Sequence, residues 1–410
     1  MQSVLFVGAG IHQRRAIEQA RARGLRVVAV DGTPDAAGFA VADVGEPVDF
    51  SRPDAVAAVG RAHGVDGVLT ISADRAVPVV AAVAERLGLP GIGTETAHRM
   101  TNKVAMRRTL AEAGVPQPRF AAIRGLSEAA AALAQVGLPA VLKPADSGGQ
   151  RGLFRIQSRD DLERHLHAAL AQSPTQEAIL EEFVEGLELN GLAVARAGEV
   201  TLLTLSDRLR PPGAGFGVGW IHVYPSSLYG DVLAEAERVA TSGVRALGLE
   251  NGVSFPQLLA ADDGRVLVVE IAARVPGGQM ADLARHAVGV DVVEIALRQA
   301  LGEHVPDELV TRRLDRPLAI RFLTAAPGPL PVGRVRRVGS LERARAATGV
   351  LQVEVFIEEG EIIRPVRVDA DRRGYVIATG PTSVLALEAA EAAARLIDVE
   401  VEAVAGARAG

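Results

Sequence analysis

Apolar positions along this chain follow two rhythms, and the change from one to the other divides it. Up to residue 100, short apolar runs alternate with stretches of helical spacing. Val4-Leu5-Phe6-Val7 runs into Gly8-Ala9-Gly10 and a helix over 12–23. Val27 to Val30 ends at Asp31, a helix follows over 53–63, then Gly67-Val68-Leu69-Thr70, a helix over 76–87, and a further apolar piece at Gly91-Ile92-Gly93. Strand followed by helix, repeated, predicts a doubly wound parallel sheet. Gly8-Ala9-Gly10 with Asp31 at the end of the second strand invites a dinucleotide reading, but Gln13 stands where the third glycine belongs. The same kind of sheet presents small substrates at its switch point.

Beyond Gly114-Val115-Pro116-Gln117-Pro118 the rhythm shortens to an α+β pattern. A helix is expected over 127–136, a strand over 140–143, a loop over 146–152, a strand over 153–156, a helix over 159–172 and a strand over 178–184. Strands then run through Ala195 and from Thr201 to Leu205, before a long loop over 206–226 that carries the single tryptophan, Trp220. Loops of that length are uncommon unless they bind or cover something. Asp262-Asp263-Gly264 reads as the turn of a hairpin. From about 317 a last unit is expected, with strands near 318–324, 333–338, 353–357 and 375–379 and a helix over 383–397; 404–410 reads as a frayed end.

Composition narrows the function. A chain of 410 residues with 48% apolar and 23% charged residues is globular and long enough for two to four domains. A net charge of −6 gives no reason to expect nucleic acid or an anionic membrane as partner, and no apolar run approaches a membrane span, so a cytoplasmic protein is expected. With no cysteine, thiolate chemistry and disulfides are excluded, and any metal is expected on oxygen ligands. Only two of the 44 basic residues are lysine, Lys103 and Lys143. An ammonium meets phosphate as a compact point charge, where guanidinium prefers a forked contact. Lys143 ends an apolar strand just before the glycine loop 146–152, whose N–H groups are free of Cβ interference and suit an anion; a hairpin turn would use the same glycines.

Val141-Leu142-Lys143-Pro144, the Ser147-Gly148-Gly149 loop, Glu181-Glu182-Phe183-Val184-Glu185-Gly186-Leu187-Glu188 and Glu270-Ile271-Ala272-Ala273-Arg274 together resemble the ordered motifs of the ATP-grasp ligases. The resemblance covers about residues 1–310. It implies an ATP-grasp fold, α/β and α+β, with a Rossmann-like domain over 1–100, a lid with its lead-in helix over 101–185, a core over 186–310 and a C-terminal α+β domain over 311–410. It also implies that Lys103, Lys143, Ser147, Gly148 and Gly149 hold nucleotide phosphates, that Glu181, Glu182 and Val184 meet adenine, and that Glu188 holds the ribose. Gln257 and Glu270 are the implied metal ligands for Mg²⁺, with Mn²⁺ as an alternative; Ala272 departs from the family's usual Asn.

Arg274 resembles the arginine that steadies the transferred phosphate, with a salt bridge to Glu270 as its plainer role. Trp220 and His222, on the long loop, resemble the substrate-covering segment, although a core anchor and a packed polar residue are the simpler readings. Gly277 and Gly278 could receive a substrate carboxylate or serve as an ordinary helix cap. The expectation is an ATP-dependent carboxylate–amine ligase working through an acyl-phosphate, nearest to the ligases that join L-amino acids, with a small carboxylate and a small amine as partners and a homodimer allowed. The alternatives are a purine- or carbamoyl-type ligase and a nucleotide-binding module without turnover.

Overall fold

The strands at 3–7, 26–31 and 67–69 form because β-branched and aliphatic runs are buried on both faces, as a parallel sheet covered by helices requires. In the computed structural model, which describes residues 1–148, 152–210 and 218–404, β1 (Ser3–Val7), β2 (Arg26–Asp31), β3 (Val44–Pro47) and β4 (Gly67–Leu69) pair in the order β3-β2-β1-β4, all parallel. Gly91-Ile92-Gly93 forms no strand, so β4 is an edge of this sheet. An isolated bridge, Ile71 to Val275, joins the segment after β4 to the segment after the strand Val266–Ala272. Asp31 accepts the backbone N–H of Ala9, which fixes the first glycine turn from within the protein.

The lid is a four-stranded antiparallel sheet in the order β5-β8-β6-β7, made of β5 (Phe120–Ile123), β6 (Ala140–Pro144), β7 (Phe154–Ile156) and β8 (Ala178–Glu182). Its own small core includes Leu142, Ile156, Leu162 and Leu180. Glu181 opposes Val141 across β8 and β6.

The remaining strands form an eight-stranded sheet and a small three-stranded one. Strands β9 (Gly186–Arg196), β10 (Glu199–Leu209), β11 (Ile221–Tyr224), β12 (Gly252–Ala261) and β13 (Val266–Ala272) supply one part. The C-terminal region adds β14 (Leu318–Phe322), β15 (Gly333–Val338), β16 (Val350–Val355), β17 (Ile362–Ile363), β18 (Gly374–Thr379) and β19 (Val399–Glu402). The sheet order is β13-β12-β9-β10-β11-β14-β18-β16, while β17, β15 and β19 make a separate small sheet. The 186–310 and 311–410 segments therefore share a sheet through β11 and β14. Much of the expected loop over 206–226 is strand: β10 extends to Leu209 and β11 begins at Ile221. The period-2 pattern there is hidden because the run from Leu203 to Asp207 in β10 and all of β11 are buried on both faces.

Candidate active site

The side chains named from the sequence converge on a cavity of about 780 Å³ between the N-terminal sheet, the lid and the eight-stranded sheet. Its lysine end is built first by a helix cap. Asn102 accepts the N–H of Ala105 and starts the helix Lys103–Glu112, which places Lys103 at the first helical position. Lys103 Nζ donates to the carbonyl of Ser147 at 2.9 Å and lies 3.3 Å from Glu270 Oε1. Lys143 reaches the same cavity from the end of β6 and donates to Glu181 Oε2 at 2.5 Å.

Glu181 is the hinge of this arrangement. It is 2% exposed, and Arg107, equally buried, donates to its other oxygen at 2.9 Å while holding the carbonyls of Val268 and Val269. Burial raises its carboxyl pKa, but the Arg107 and Lys143 charges outweigh that and hold it at about 2. The carboxylate expected to meet adenine is paired with Lys143 and Arg107 and lines the cavity. Glu182 pairs with Arg119 and Arg265. Val184 and Glu185 line the cavity beside it. Glu188, expected at the ribose, holds Arg208 at 2.7 Å and also Arg210; each carboxylate oxygen keeps a lone pair for a hydroxyl.

Gln257 and Glu270 are directly opposed on β12 and β13, next to a bulge between Gln257 and Leu258. Gln257 Nε2 reaches Asn190 Oδ1 at 3.4 Å, which leaves its Oε1 as the oxygen for a cation. Ala272 is buried and brings no oxygen, and among the described residues no group of three His, Asp or Glu gathers around a metal position. Two adjacent oxygens fit Mg²⁺, which keeps waters and takes phosphate oxygens for the rest of its shell.

Arg274 does not pair with Glu270. Its Nε and Nη2 form a fork on Asp74, at 2.6 and 2.8 Å, across from the N-terminal domain. Asp74 carries the opposing effects of burial, which raises its pKa, and of Arg274 and Lys103, which pull it below the usual value. The glycine loop lies against the same acid: a Cβ built on Gly148 would stand 3.4 Å from Asp74 Oδ2. Gly149 lies outside the described residues. Asp74 has no sequence signal of its own, since only the fold brings it to Arg274, two hundred positions away.

The far end of the cavity is aromatic and basic. His222, Phe322, Phe356, Tyr375, Arg372 and His12 line it, four of them from the C-terminal region. Gly277 and Gly278 border this end, where Gly278 has φ +64° and a Cβ there would lie 3.2 Å from His222 Nε2. His222 is buried; desolvation, then Arg372 and Arg208, hold its pKa well below the ordinary value, so the ring is neutral. Asn190 Nδ2 lies 3.0 Å from His222 Nδ1. With Asn190 Oδ1 engaged by Gln257, that contact makes Nδ1 the acceptor and leaves the proton on Nε2, facing Gly278.

Arg372 is partly buried, donates through Nε and Nη2 to the carbonyl of Gly219 and through Nη2 to Asp369, and stacks 4.1 Å over Phe322. Burial lowers its pKa to about 10, so it stays cationic at neutral pH. Trp220 is not part of this wall. It is fully buried in the C-terminal core with Val376, Ala378 and Ala390, where Arg321 lies over its ring.

Paired oxygens opposite two lysines, under a lid and beside a substrate end, define an ATP-dependent ligase of the ATP-grasp class. The chain belongs to the family described as carbamoyl-phosphate synthase L chain, ATP binding domain, which matches residues 102–308. Residues 17–91 match the ATP-grasp N-terminal domain, and residues 321–402 match L-amino acid ligase C-terminal domain 2. A formate-dependent phosphoribosylglycinamide formyltransferase from Ignicoccus hospitalis is 28% identical over 413 residues, 97% of this chain and 96% of that protein. An L-arginine-specific L-amino acid ligase from Bacillus subtilis is 23% identical over 67% of this chain and 66% of its own length. The crystal structure of L-amino acid ligase from Bacillus licheniformis has the same fold, with a TM-score of 0.83 over 98% of this chain and 99% of that one, at 20% identity. No helix among the described residues is long and apolar enough to cross a membrane.

Proposed function

We propose that this enzyme joins the carboxylate of one small substrate to the amine of another, with L-amino acids as the substrate class, through an acyl-phosphate. The observation that carries the reading is Arg372: a half-buried cation from the region that matches the L-amino acid ligase C-terminal domain stands at the substrate end of the cavity, beside Phe322 and Gly278. A guanidinium held at Nε and Nη2 is a fixed receptor for a carboxylate at its remaining nitrogen.

Lys103 and Lys143 hold the phosphates, and Glu181 with Arg107 fixes the direction from which Lys143 approaches. Gln257 and Glu270 would hold Mg²⁺, which offsets negative charge on the phosphate oxygens. The substrate carboxylate displaces ADP from the γ-phosphate, and the amine then displaces phosphate, leaving the amide. Arg274 faces the transferred phosphoryl group from its anchorage on Asp74. His222, neutral and protonated at Nε2, donates a hydrogen bond to substrate rather than removing a proton. Water exclusion by the lid protects the acyl-phosphate.

The test is phosphate release with ATP and Mg²⁺ across paired L-amino acids, with the amide identified by mass. Release that requires two amino acids supports the reading, and release with none of the pairs overturns it. A second reading rests on the full-length match to the formyltransferase: formate with a phosphoribosylated amine would then support turnover where amino acids do not.

A further inference from the structure

Strand register lays the polar side chains of the cavity in two rows. Glu270, Gln257 and Asn190 are paired directly across β13, β12 and β9, and Glu188, Arg208 and His222 across β9, β10 and β11. Directly paired residues share a face of a sheet, and so do residues two apart on one strand, as Glu188 and Asn190 are. Both rows therefore face the same cavity, which all six residues line. Asn190 joins them. It is 1% exposed, accepts from Gln257 Nε2 on its Oδ1 at 3.4 Å, and sets its Nδ2 3.0 Å from His222 Nδ1.

A hydrogen-bonded chain of two amides and a neutral imidazole has two self-consistent directions. In one, Gln257 donates to Asn190, Asn190 donates to Nδ1, and the ring proton stands on Nε2, facing Gly278. In the other all three reverse: Nδ1–H donates to Asn190 Oδ1, Asn190 Nδ2 donates to Gln257 Oε1, and Nε2 is left as a bare lone pair. The reversed chain turns the Gln257 N–H groups to the side where a cation needs oxygen. We propose that Asn190 is a positioning residue that carries the polarity of the Gln257 amide to His222, so that an oxygen turned to the cation at one end holds a proton donor at the other. This rests on the reading of Gln257 as a Mg²⁺ ligand. It gives a reason for an amide at that position, where a carboxylate would bring a full negative charge to the metal: a carboxylate has no N–H with which to orient Asn190. His222 is thereby kept as a donor to substrate and withheld from acting as a base.

The experiment observes the tautomer directly, on the full chain with ¹⁵N-labelled histidine, by long-range ¹H–¹⁵N correlation at neutral pH without substrates. The spectrum of His222→Gln assigns the His222 ring among the eight histidines. Wild type is expected to carry the proton on Nε2 and to keep it there when Mg²⁺ and ADP are added. Gln257→Glu, one side chain removed from the ring, should turn Asn190 over and move the proton to Nδ1. Asn190→Asp, whose carboxylate only accepts, should likewise place a proton on Nδ1. Thermal unfolding establishes that each variant is folded, and Gln257→Glu alone decides if Asn190→Asp, at the more buried position, fails to fold. An Nδ1 that stays bare in either folded variant, or a proton found on Nδ1 in wild type before or after Mg²⁺ and ADP, overturns the proposal. These spectra need no turnover, so failure of the ligase reading would show in the product assay and leave them intact.

Discussion

Lys103 Nζ sits 3.3 Å from Glu270 Oε1, so the ammonium proposed for phosphate and the carboxylate proposed for Mg²⁺ are each other's partner before any ligand arrives. Binding Mg·ATP exchanges that contact for two new ones. Glu270→Gln is expected to remove most of kcat, because Glu270 is the acid directly opposite Gln257 on the hairpin and the variant takes its charge away. Steady-state rates at several Mg²⁺ concentrations check it; a wild-type rate would overturn the metal assignment.

Ala272→Asn probes the same ligands from the other side. An added oxygen near Glu270 should lower the Mg²⁺ concentration needed for half-maximal rate, provided the buried position accepts the larger side chain. Thermal unfolding of the variant, measured alongside the Mg²⁺ titration, separates a packing cost from a metal effect.

Lys143→Ala should weaken ATP by about tenfold or more, since a charge-assisted phosphate contact contributes about 1.5–3 kcal/mol. Lys143→Arg should not restore it, because Glu181 and Arg107 are spaced for a compact ammonium. Glu181→Gln should lower ATP affinity without touching nucleotide and destabilise the fold by about 3–5 kcal/mol, as breaking a buried charged cluster does. Calorimetric titration and urea unfolding report the two effects separately.

Acid stability should depend on Glu181. Its folded pKa of about 2 lies below the ordinary 4.5, so its contribution is present in full above 4.5 and is lost as pH falls towards 2. Integrated over that window the loss is on the order of 3 kcal/mol. Urea midpoints measured from pH 6 to pH 3 should fall steeply in wild type and more gently in Glu181→Gln.

His222 should not titrate near neutrality. Because its folded pKa is depressed, the neutral ring favours the fold above 6.5, and that contribution is lost as pH falls below it. Its ¹⁵N resonances should stay constant between pH 8 and 6, with Nε2 as the protonated nitrogen. A shift with a midpoint near 6.5 would contradict the buried, neutral donor.

The lysines and the Gln257–Glu270 pair were legible because each is fixed by its own strand or cap: Asn102 starts a helix, and Gln257 and Glu270 face each other in one hairpin. Asp74, Arg107 and Arg372 were not, since each acquires its partner through packing between segments far apart in the chain. Trp220 misled for a related reason. Its place on a long expected loop resembled a substrate-covering segment, whereas β11 begins at the next residue and the plainer reading of a core anchor holds. The apolar piece at 91–93 adds no strand to the sheet, because glycines on both sides of Ile92 supply no side chains to pack.

The hydrogen-bonded seam between β11 and β14 limits how such an enzyme can be rebuilt by recombination. A chimaera that exchanges everything after residue 310 severs the pairs from Ile221–Arg321 to Tyr224–Leu318 and must rebuild them with a foreign strand. It also parts His222 from the arginine that faces it, Arg372. Transplanting new substrate preference onto this scaffold calls for moving β11 together with the C-terminal strands, as one inheritable block.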